Sequence, residues 1–303
     1  MSPSDRILGC LLGGALGDAM GGPYENKPSP IRLIADVPLR LSDDTQLTLS
    51  TCEAIVEAGR PSPQLVAAAF AALFQQRGLR GLGASTYKAL QELAAGGHWA
   101  LVGGKGELAA GNGPATRIAP LAFLLDPSSS SDRQIIRDVC RITHHNEEAY
   151  CGALAVVRAI RLAFRGCWRA GRGLLHEVAL GLPDCAVRDR LTAMSPDFAS
   201  VPLAEIARRF GTSGHVVESV PFALMAAEHL GEMSFSAVIE EVVMAGGDTD
   251  STASMAGQIC GTCVGQQALP DDWLDRLPEA HDVRRTADCF ARFVDSSPPA
   301  PGA

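Results

Sequence analysis

The 303-residue chain is predicted to be all-α, a single compact orthogonal multi-helix domain. Three features predict this class. Apolar residues make up 47% of the chain but aromatic residues only 5%, and glycine occurs 31 times, which favours closely packed helices over a β-sandwich. Apolar side chains recur at helical spacing in successive segments. No segment shows the apolar–polar alternation of a half-buried strand.

A first helix is predicted over residues 4–21, with a serine or an aspartate at its start as the cap. Gly9, Gly13 and Gly17 recur every four residues and form one smooth stripe, which lets another helix backbone approach closely. Asp18 follows at the end of this helix, where the helix dipole disfavours an anion. We therefore expect Asp18 to have a compensating partner.

The next apolar helix is predicted to start at a cluster of hydroxyl and acidic residues and to end near Ala58. The cluster consists of Ser42, Asp43, Asp44 and Thr45. If its aspartates lay about 4 Å from other carboxylates, each pair would repel by about 4 kcal/mol at an effective dielectric of 20. Convergence on a second acidic cluster would therefore require cations or raised pKa values. The alternative is an ordinary helix cap.

Helices are predicted over 63–77 and 86–95, followed by a glycine-rich loop over 96–113. A helix is expected to begin near Pro114, because proline is well tolerated in the first position. Backbone N–H groups in such a loop could bind a diphosphate at the start of the next helix. The loop matches neither the Walker nor the dinucleotide-binding pattern, and many glycine-rich loops have no ligand.

Two further helices are predicted over 133–142 and 147–163, on either side of a short polar break. The break contains His144 and His145. Adjacent side chains project to different sides, so at most one of the two histidines is expected to face a given pocket.

The second acidic cluster lies within 244–257, where two glycines precede Asp248, Asp250 and Ser251. Glycines before an acidic helix start allow a tight turn that directs oxygen atoms towards one point. Three hard oxygen ligands could bind Mg²⁺ or Mn²⁺. The alternative is again a helix cap. The helix after this cluster is expected to end near Val264.

The remaining predictions concern the C-terminal half. A helix over 215–230 is expected to be interrupted at Pro221, and a last amphipathic region includes 290–294. The sequence SSPPAPGA at 296–303 is expected to be disordered, which leaves 1–295 as the domain.

Composition excludes several classes of protein. The net charge is −8 and the only lysines are Lys27, Lys88 and Lys105, which argues against a dedicated nucleic-acid binder. Nine cysteines in apolar segments indicate a reducing compartment, and the Cys260–Cys263 pair is expected to pack in the core. Neither a signal peptide nor a membrane span is evident. A cytoplasmic monomer is expected.

Together these motifs resemble the ADP-ribosylglycohydrolase family, over nearly the whole chain. They are Gly17-Asp18 with Glu25, Ser42-Asp43-Asp44-Thr45, Gly111-Asn112-Gly113 with Arg117, Thr143-His144, and Gly246-Gly247-Asp248-Thr249-Asp250-Ser251. The resemblance implies an all-α fold and two Mg²⁺ or Mn²⁺ ions. It also implies these metal ligands: Ser42, Asp43, Asp44, Asp248, Asp250 and Ser251.

The implied activity is metal-dependent hydrolysis of the glycosidic bond between ADP-ribose and a modified protein or other conjugate. Cleavage builds positive charge at the anomeric carbon, which carboxylates can stabilise. Either Glu25 or Asp43 is expected to orient the water as general base. Substrate is expected to contact His144 and the diphosphate-binding loop, which consists of Gly111, Asn112, Gly113, Pro114 and Ala115.

Several positions depart from the family pattern. Ser42 replaces the usual threonine, Thr116 replaces a frequent methionine, and 105–110 contains no aromatic residue to stack on adenine. The segment 214–230 resembles the branch that acts on serine-linked or polymeric ADP-ribose more than the arginine-linked branch.

Three other interpretations remain open. A relative of this family could bind ADP-ribose without cleaving it, or act as an immunity or interaction protein. His281-Asp282 could belong to an HD-type phosphohydrolase, but that fold needs further ligands around the pair. The DDxxD spacing at 271–275 occurs in prenyl-diphosphate enzymes, but here it directly follows a proline and fits an acidic helix start.

Overall fold

The computed structural model describes residues 1–194, 198 and 201–297, which contain fifteen α-helices and a few short 3₁₀ turns. The only regular strands in these ranges are β1 (Gly104–Lys105) and β2 (His144–His145), which pair in parallel. The all-α prediction is confirmed. The helices are α1 (Pro3–Gly21), α2 (Asp43–Ala58), α3 (Pro63–Gln75), α4 (Ala84–Ala94), α5 (Gly113–Thr116), α6 (Ser130–Arg141), α7 (Glu147–Phe164), α8 (Leu174–Ala179), α9 (Ala186–Met194), α10 (Leu203–Phe210), α11 (Val216–Glu228), α12 (Phe235–Met244), α13 (Thr249–Val264), α14 (Asp271–Arg276) and α15 (Ala280–Ser296).

Helices α1 and α13 form the centre of the fold and run antiparallel with their backbones in contact. A Cβ atom on Gly17 would lie 2.0 Å from the carbonyl oxygen of Ala253, and one on Gly261 would lie 2.0 Å from that of Gly9. The predicted glycine stripe therefore packs against a second helix, as expected. Because the helices are antiparallel, the C-terminal end of α1 lies beside the N-terminal end of α13.

The start of α1 and the course of α11 differ from the sequence prediction. The cap of α1 is Ser2, whose hydroxyl accepts a hydrogen bond from the N–H of Asp5, and Pro3 occupies the first helical position. The expected interruption at Pro221 is wrong, because α11 continues through it. Nearly every residue of α11 is buried, so tertiary packing outweighs the one backbone hydrogen bond that proline removes.

The apolar side chains form one buried cluster that extends from Ile7 to Ala291. All nine cysteines are free, and Cys260 is buried within α13 while Cys263 is partly buried. Within the described ranges no helix combines the length and the apolar character needed to cross a bilayer. The predicted disorder over 296–303 is wrong at Ser296, which is the last residue of α15. For 298–303 it stays a prediction, because those residues lie outside the described ones.

Candidate active site

Asp18, at the end of α1, caps the start of α2. Both of its carboxylate oxygens lie 3.1 Å from the N–H of Ser42, and one also accepts the N–H and the hydroxyl of Thr45, at 3.2 and 2.5 Å. Complete burial raises the pKa of Asp18 to about 6, against the opposing effect of these hydrogen bonds. Asp18 therefore has the compensating partner that the sequence predicted. Its hydrogen bonds hold the start of α2, which carries Asp43 and Asp44.

Asp44 links α2 to α5 and α13. Its carboxylate accepts hydrogen bonds from the hydroxyls of Thr116, at 2.7 Å, and Ser251, at 2.8 Å. The hydroxyl of Ser42 accepts the N–H of Asp44 at 3.2 Å, so Ser42 is the helix cap. Two motifs about two hundred residues apart in sequence thus meet through Asp44 and Ser251.

The turn before α13 depends on two glycines with positive φ. Gly246 has φ 78° and Gly247 has φ 86°, a region that residues with side chains rarely adopt. A Cβ on Gly247 would lie 2.4 Å from the backbone oxygen of Thr212, which accepts the N–H of Asp248 at 2.8 Å. The turn directs Asp248 and Asp250 to the same side.

Glu25 joins these two aspartates from the loop after α1. The loop pairs with the glycine turn, because the N–H of Asn26 donates to Gly247 at 2.8 Å and that of Gly247 donates to Lys27 at 3.2 Å. One carboxylate oxygen each of Glu25, Asp248 and Asp250 lie within 4.8 Å of one another. Three oxygen atoms at this separation can hold a metal ion.

The clustering of carboxylates has a clear electrostatic effect. Burial and the charge of Asp18 raise the pKa of Asp43 to about 7. Burial, Asp44 and Asp248 raise the pKa of Asp250 to about 10, and the pKa of Asp44 is raised well above its usual value. Without a cation, the cluster therefore retains protons that free carboxyl groups lose near pH 4.

His144 lines the same cavity as these carboxylates, with a neutral ring. The hydroxyl of Thr143 accepts from Arg117 at 2.6 Å and lies 2.7 Å from Nδ1 of His144. When this hydroxyl donates its proton to Nδ1, the ring proton lies on Nε2; in the other tautomer, Nδ1–H donates to the hydroxyl. Burial, reinforced by Arg117, lowers the pKa of His144 to about 3. His145 does not face this site, as expected from its position next to His144.

Arg117 holds the glycine-rich loop in place from the interior of the protein. Its side chain is buried, its Nη1 donates to the carbonyl oxygen of Gly113 at 2.5 Å, and its guanidinium lies over the ring of Phe70. Gly111 and Gly113 contact the His144 ring, since a Cβ at either position would lie 3.0 to 3.2 Å from a ring atom. Larger residues would displace the histidine.

These groups enclose a cavity of about 310 Å³. Most predicted site residues line it, namely Glu25, Asp43, Asp44, Gly111, Asn112, Gly113, His144, Asp248, Asp250 and Ser251. Ser42, Pro114 and Ala115 do not line it, because Ser42 caps α2 and the other two are buried in α5. A larger groove of about 510 Å³ between α3 and α4 contains no carboxylate, so the chemistry is assigned to the smaller cavity.

Sequence reasoning did not find several residues of the site. Leu108 lines the cavity rim with its side chain 99% exposed, and Gly81 approaches Asp43. A leucine in a polar, glycine-rich loop was a usable signal for the first. Thr143 was noted only within a motif and Thr116 only as a departure from the family pattern, and nothing in the sequence shows that they bond to His144 and Asp44.

Comparison with known proteins identifies the family. The model of the ADP-ribosylglycohydrolase family matches residues 1–299. The chain belongs to this family. The zebrafish (Danio rerio) ADP-ribosylhydrolase ARH3 is 25% identical, over 92% of this chain and 89% of that protein. The Pseudomonas putida ADP-ribosylarginine hydrolase Tri1 is 26% identical, over 93% of this chain and 77% of that protein.

A solved structure agrees with this assignment at the level of the fold. It is described as an ADP-ribosylglycohydrolase-related protein complex and superimposes with a TM-score of 0.72 at 24% identity, over 96% of this chain and 99% of that one. Family membership supports the general reaction, hydrolysis at ADP-ribose, for this chain.

Proposed function

We propose that this chain hydrolyses the glycosidic bond between ADP-ribose and a modified target, with serine-linked ADP-ribose favoured over arginine-linked. The observation that carries the proposal is the convergence of Asp43, Asp44, Asp248 and Asp250 with Glu25 on one cavity that His144 also lines. Helix caps alone do not explain this arrangement, because each cap needs only one or two oxygen atoms. The two acidic motifs instead face one cavity.

The residues present fit divalent cations. Asp44 and Asp250 are buried with raised pKa values and Asp44 accepts from the hydroxyl of Ser251, and such hard oxygen donors suit Mg²⁺ or Mn²⁺. By the family resemblance, the residues that would hold two ions are Ser42, Asp43, Asp44, Asp248, Asp250 and Ser251. The grouping of Glu25 with Asp248 and Asp250 would add Glu25 to this set. When bound, the ions would hold the ribose hydroxyls and lower the pKa of a nearby water.

The chain's own side chains orient the reactants. Glu25 and Asp43 both face the cavity, and either can accept a proton from the attacking water as general base. Negative charge around the ribose stabilises the positive charge that develops at the anomeric carbon. His144 and Leu108 line the same cavity. His144, with its ring proton on Nε2, donates to a substrate oxygen, and Leu108 offers adenine an aliphatic surface in place of an aromatic one.

The test measures release of ADP-ribose from serine-linked and arginine-linked modified proteins, with Mg²⁺, with Mn²⁺ and with EDTA. We expect metal-dependent release that is faster from the serine linkage. Asp250→Asn should lower the rate at least about a hundredfold, because second-shell losses alone reach that size at metal sites. The matched control is Asp282→Asn, whose exposed carboxylate lies on α15 outside the cavity and whose loss should leave the rate unchanged.

The alternative is a relative that binds ADP-ribose without cleaving it, or an immunity or interaction protein. Tight binding of free ADP-ribose with no release from either linkage, in protein that contains bound metal, would favour that alternative and refute hydrolysis. Release that persists in EDTA and in Asp250→Asn would instead refute the proposed site.

A further inference from the structure

Two cysteine thiols are in contact where the first turns of α7 meet the start of α9. Cys151 is buried on α7, and Cys185 is partly exposed and lies directly before α9. A hydrogen bond joins the two thiols. Neither residue lines the active-site cavity, so the pair has no place in the chemistry described above.

Glu148 fixes the position of Cys185 relative to Cys151. Its two carboxylate oxygens accept the N–H groups of Ala186 and Val187, the first residues of α9, at 2.9 and 3.1 Å. Cys151 lies one turn after Glu148 and therefore on the same face of α7. The carboxylate thus holds the backbone next to Cys185 against the helix face that carries Cys151.

The sulfur of Cys185 lies at the N-terminal end of α9, in the position of a helix cap. It accepts the N–H of Arg188 at 3.4 Å, and the carbonyl oxygen of Cys185 accepts the N–H of Asp189 at 3.1 Å. Helix α9 spans nine residues, and the free N–H groups and dipole at its start favour a negatively charged sulfur. Cys185 therefore combines partial exposure with surroundings that stabilise a thiolate.

The hydrogen bond between the thiols makes them unequal. It lowers the pKa of Cys185 and outweighs the opposing effect of burial, and the N–H of Arg188 lowers this pKa further. The same hydrogen bond, followed by burial, raises the pKa of Cys151. Cys185 is therefore the thiol that ionises first, while Cys151 keeps its proton and donates it to the Cys185 sulfur.

The Cys260–Cys263 pair, which has the sequence spacing of a redox motif, lacks these features. Both residues lie in the last turns of α13, far from the start of that helix. Burial raises the pKa of both thiols, and a thiol that keeps its proton is a poor nucleophile. Position at a helix start, which the spacing does not report, distinguishes the Cys151–Cys185 pair.

We propose that Cys185 and Cys151 form a redox site that reduces a peroxide and becomes a disulfide. The Cys185 thiolate attacks one peroxide oxygen and the O–O bond breaks. The other oxygen takes up the proton that the thiol had released and leaves as water or an alcohol. Cys185 is then a sulfenic acid.

Cys151 resolves this intermediate. Its sulfur attacks the Cys185 sulfur and the S–O bond breaks, and the hydroxide takes the proton of the Cys151 thiol and leaves as water. The two thiols lose two electrons and the peroxide gains them. A thiol reductant restores both thiols by exchange, and in a reducing compartment such a disulfide is transient.

The test follows all nine thiols of the reduced, full-length protein after one equivalent of hydrogen peroxide. Timed samples are alkylated with isotope-labelled iodoacetamide, and their non-reduced peptides are mapped by mass spectrometry. Cys185 should be lost at least about tenfold faster than the exposed Cys167 and Cys289, because the thiolate is the nucleophile. The expected product is a Cys151–Cys185 disulfide within one chain that dithiothreitol reverses.

Variants separate the two functions. Cys151→Ala should oxidise more slowly, because the hydrogen bond to Cys185 is lost, and should stop at a sulfenic acid that dimedone traps. Cys185→Ala should leave Cys151 unreacted. The matched control is Cys289→Ala, which removes an exposed thiol from α15 and should leave formation of the disulfide unchanged. Circular dichroism checks that each variant folds, and the wild-type measurement does not depend on any of them.

Three results would overturn the proposal. The first is loss of Cys185 no faster than loss of Cys289, which would mean that exposure alone governs oxidation. The second is a disulfide between chains, or between other cysteines, in place of Cys151–Cys185. The third is a Cys185→Ala variant that consumes peroxide as fast as the wild type.

Discussion

The seam between α1 and α13 and the acidic cleft at the end of that seam affect stability in opposite directions. Along the seam, glycines bring two backbones into contact, and the gain is close packing with little loss of side-chain entropy. In the cleft, buried carboxylates repel each other and raise their own pKa values. The comparison indicates that the packed helix pair holds together a site that is unfavourable without its ligands.

The physical connection between the two regions is direct. The antiparallel seam sets the end of α1 beside the start of α13, and this places Asp18 near the motif that contains Asp250. The hydroxyl of Thr249 donates to the carbonyl oxygen of Gly21 at 2.9 Å, just where the seam meets the cleft. The following predictions alter one region at a time.

The largest effect is expected for Gly17→Ala in the seam. The added Cβ would lie 2.0 Å from the carbonyl oxygen of Ala253, and backbone atoms cannot rotate away, so the helices must separate. We expect a loss of about 3 kcal/mol in the free energy of unfolding, which exceeds the helix-propensity gain of about 1 kcal/mol for replacing glycine. Urea unfolding of the variant and the wild type in EDTA measures this loss in the free energy of unfolding.

The control for this change is Gly22→Ala, five residues further on. A Cβ on Gly22 would meet no atom within 4 Å, and its φ of −48° suits alanine. Its effect should stay within about 0.5 kcal/mol. Similar losses for both variants would mean that the close backbone contact is not what stabilises the pair.

Asp250→Asn, in the cleft, is expected to have an intermediate effect on the free energy of unfolding. In metal-free protein this variant should be more stable than the wild type. The pKa of Asp250 is raised to about 10 in the folded state, whereas unfolded aspartate titrates near 3.9. The folded state therefore retains the proton, and wild-type stability is lost as the pH rises above about 4. Asparagine carries no such proton, so the variant should be the more stable one, by on the order of 2 kcal/mol at pH 8.

Unfolding at pH 4 to 8 checks this prediction. The stability difference between variant and wild type should widen with pH in EDTA and should shrink or reverse with saturating Mn²⁺, which binds the wild type better. Asp282→Asn, with its exposed carboxylate, should show no such trend. A constant difference across this pH range would contradict the proposed electrostatic cost of the cleft.

The smallest effect is expected for Thr143→Val, beside His144 in the cleft, and it concerns the rate of ADP-ribose release. Valine keeps the shape of this fully buried residue but removes the hydroxyl that accepts from Arg117 and is hydrogen-bonded to Nδ1 of His144. The ring then loses the contact that holds its orientation, and we expect ADP-ribose release to slow about tenfold. Thr143→Ser retains the hydroxyl and should retain most of the rate. Equal rates in the two variants would show that the hydroxyl has no such function.

The sequence was most informative where a local pattern had one physical explanation. The glycine stripe of α1 predicted a close helix contact without identifying the partner, and α13 supplies it with Gly257 and Gly261. Asp18 lies at the end of α1, where the helix dipole disfavours an anion, and this position predicted a compensating partner. The start of α2 is that partner. The prediction failed at Pro221, since local propensity does not report the burial that holds α11 together.

The site was predictable in composition but not in geometry. Both acidic motifs were evident, and the cavity contains both. Sequence could not separate Ser42, which caps α2, from Ser251, which bonds across to Asp44, because both are serines beside aspartates. Nor could it find that the hydroxyl of Thr143 bonds to both Arg117 and His144, since Arg117 comes from a distant part of the chain.

By itself the sequence determined the helical class, the glycine stripe and the two acid–hydroxyl motifs, because helix periodicity, glycine flexibility and capping act within a few residues. Only the tertiary structure decided that the motifs face one cavity and that Asp43, Asp44 and Asp250 have raised pKa values. Those properties depend on distances between groups far apart in the chain. Coulomb energy and desolvation follow spatial separation and burial, and sequence spacing specifies neither.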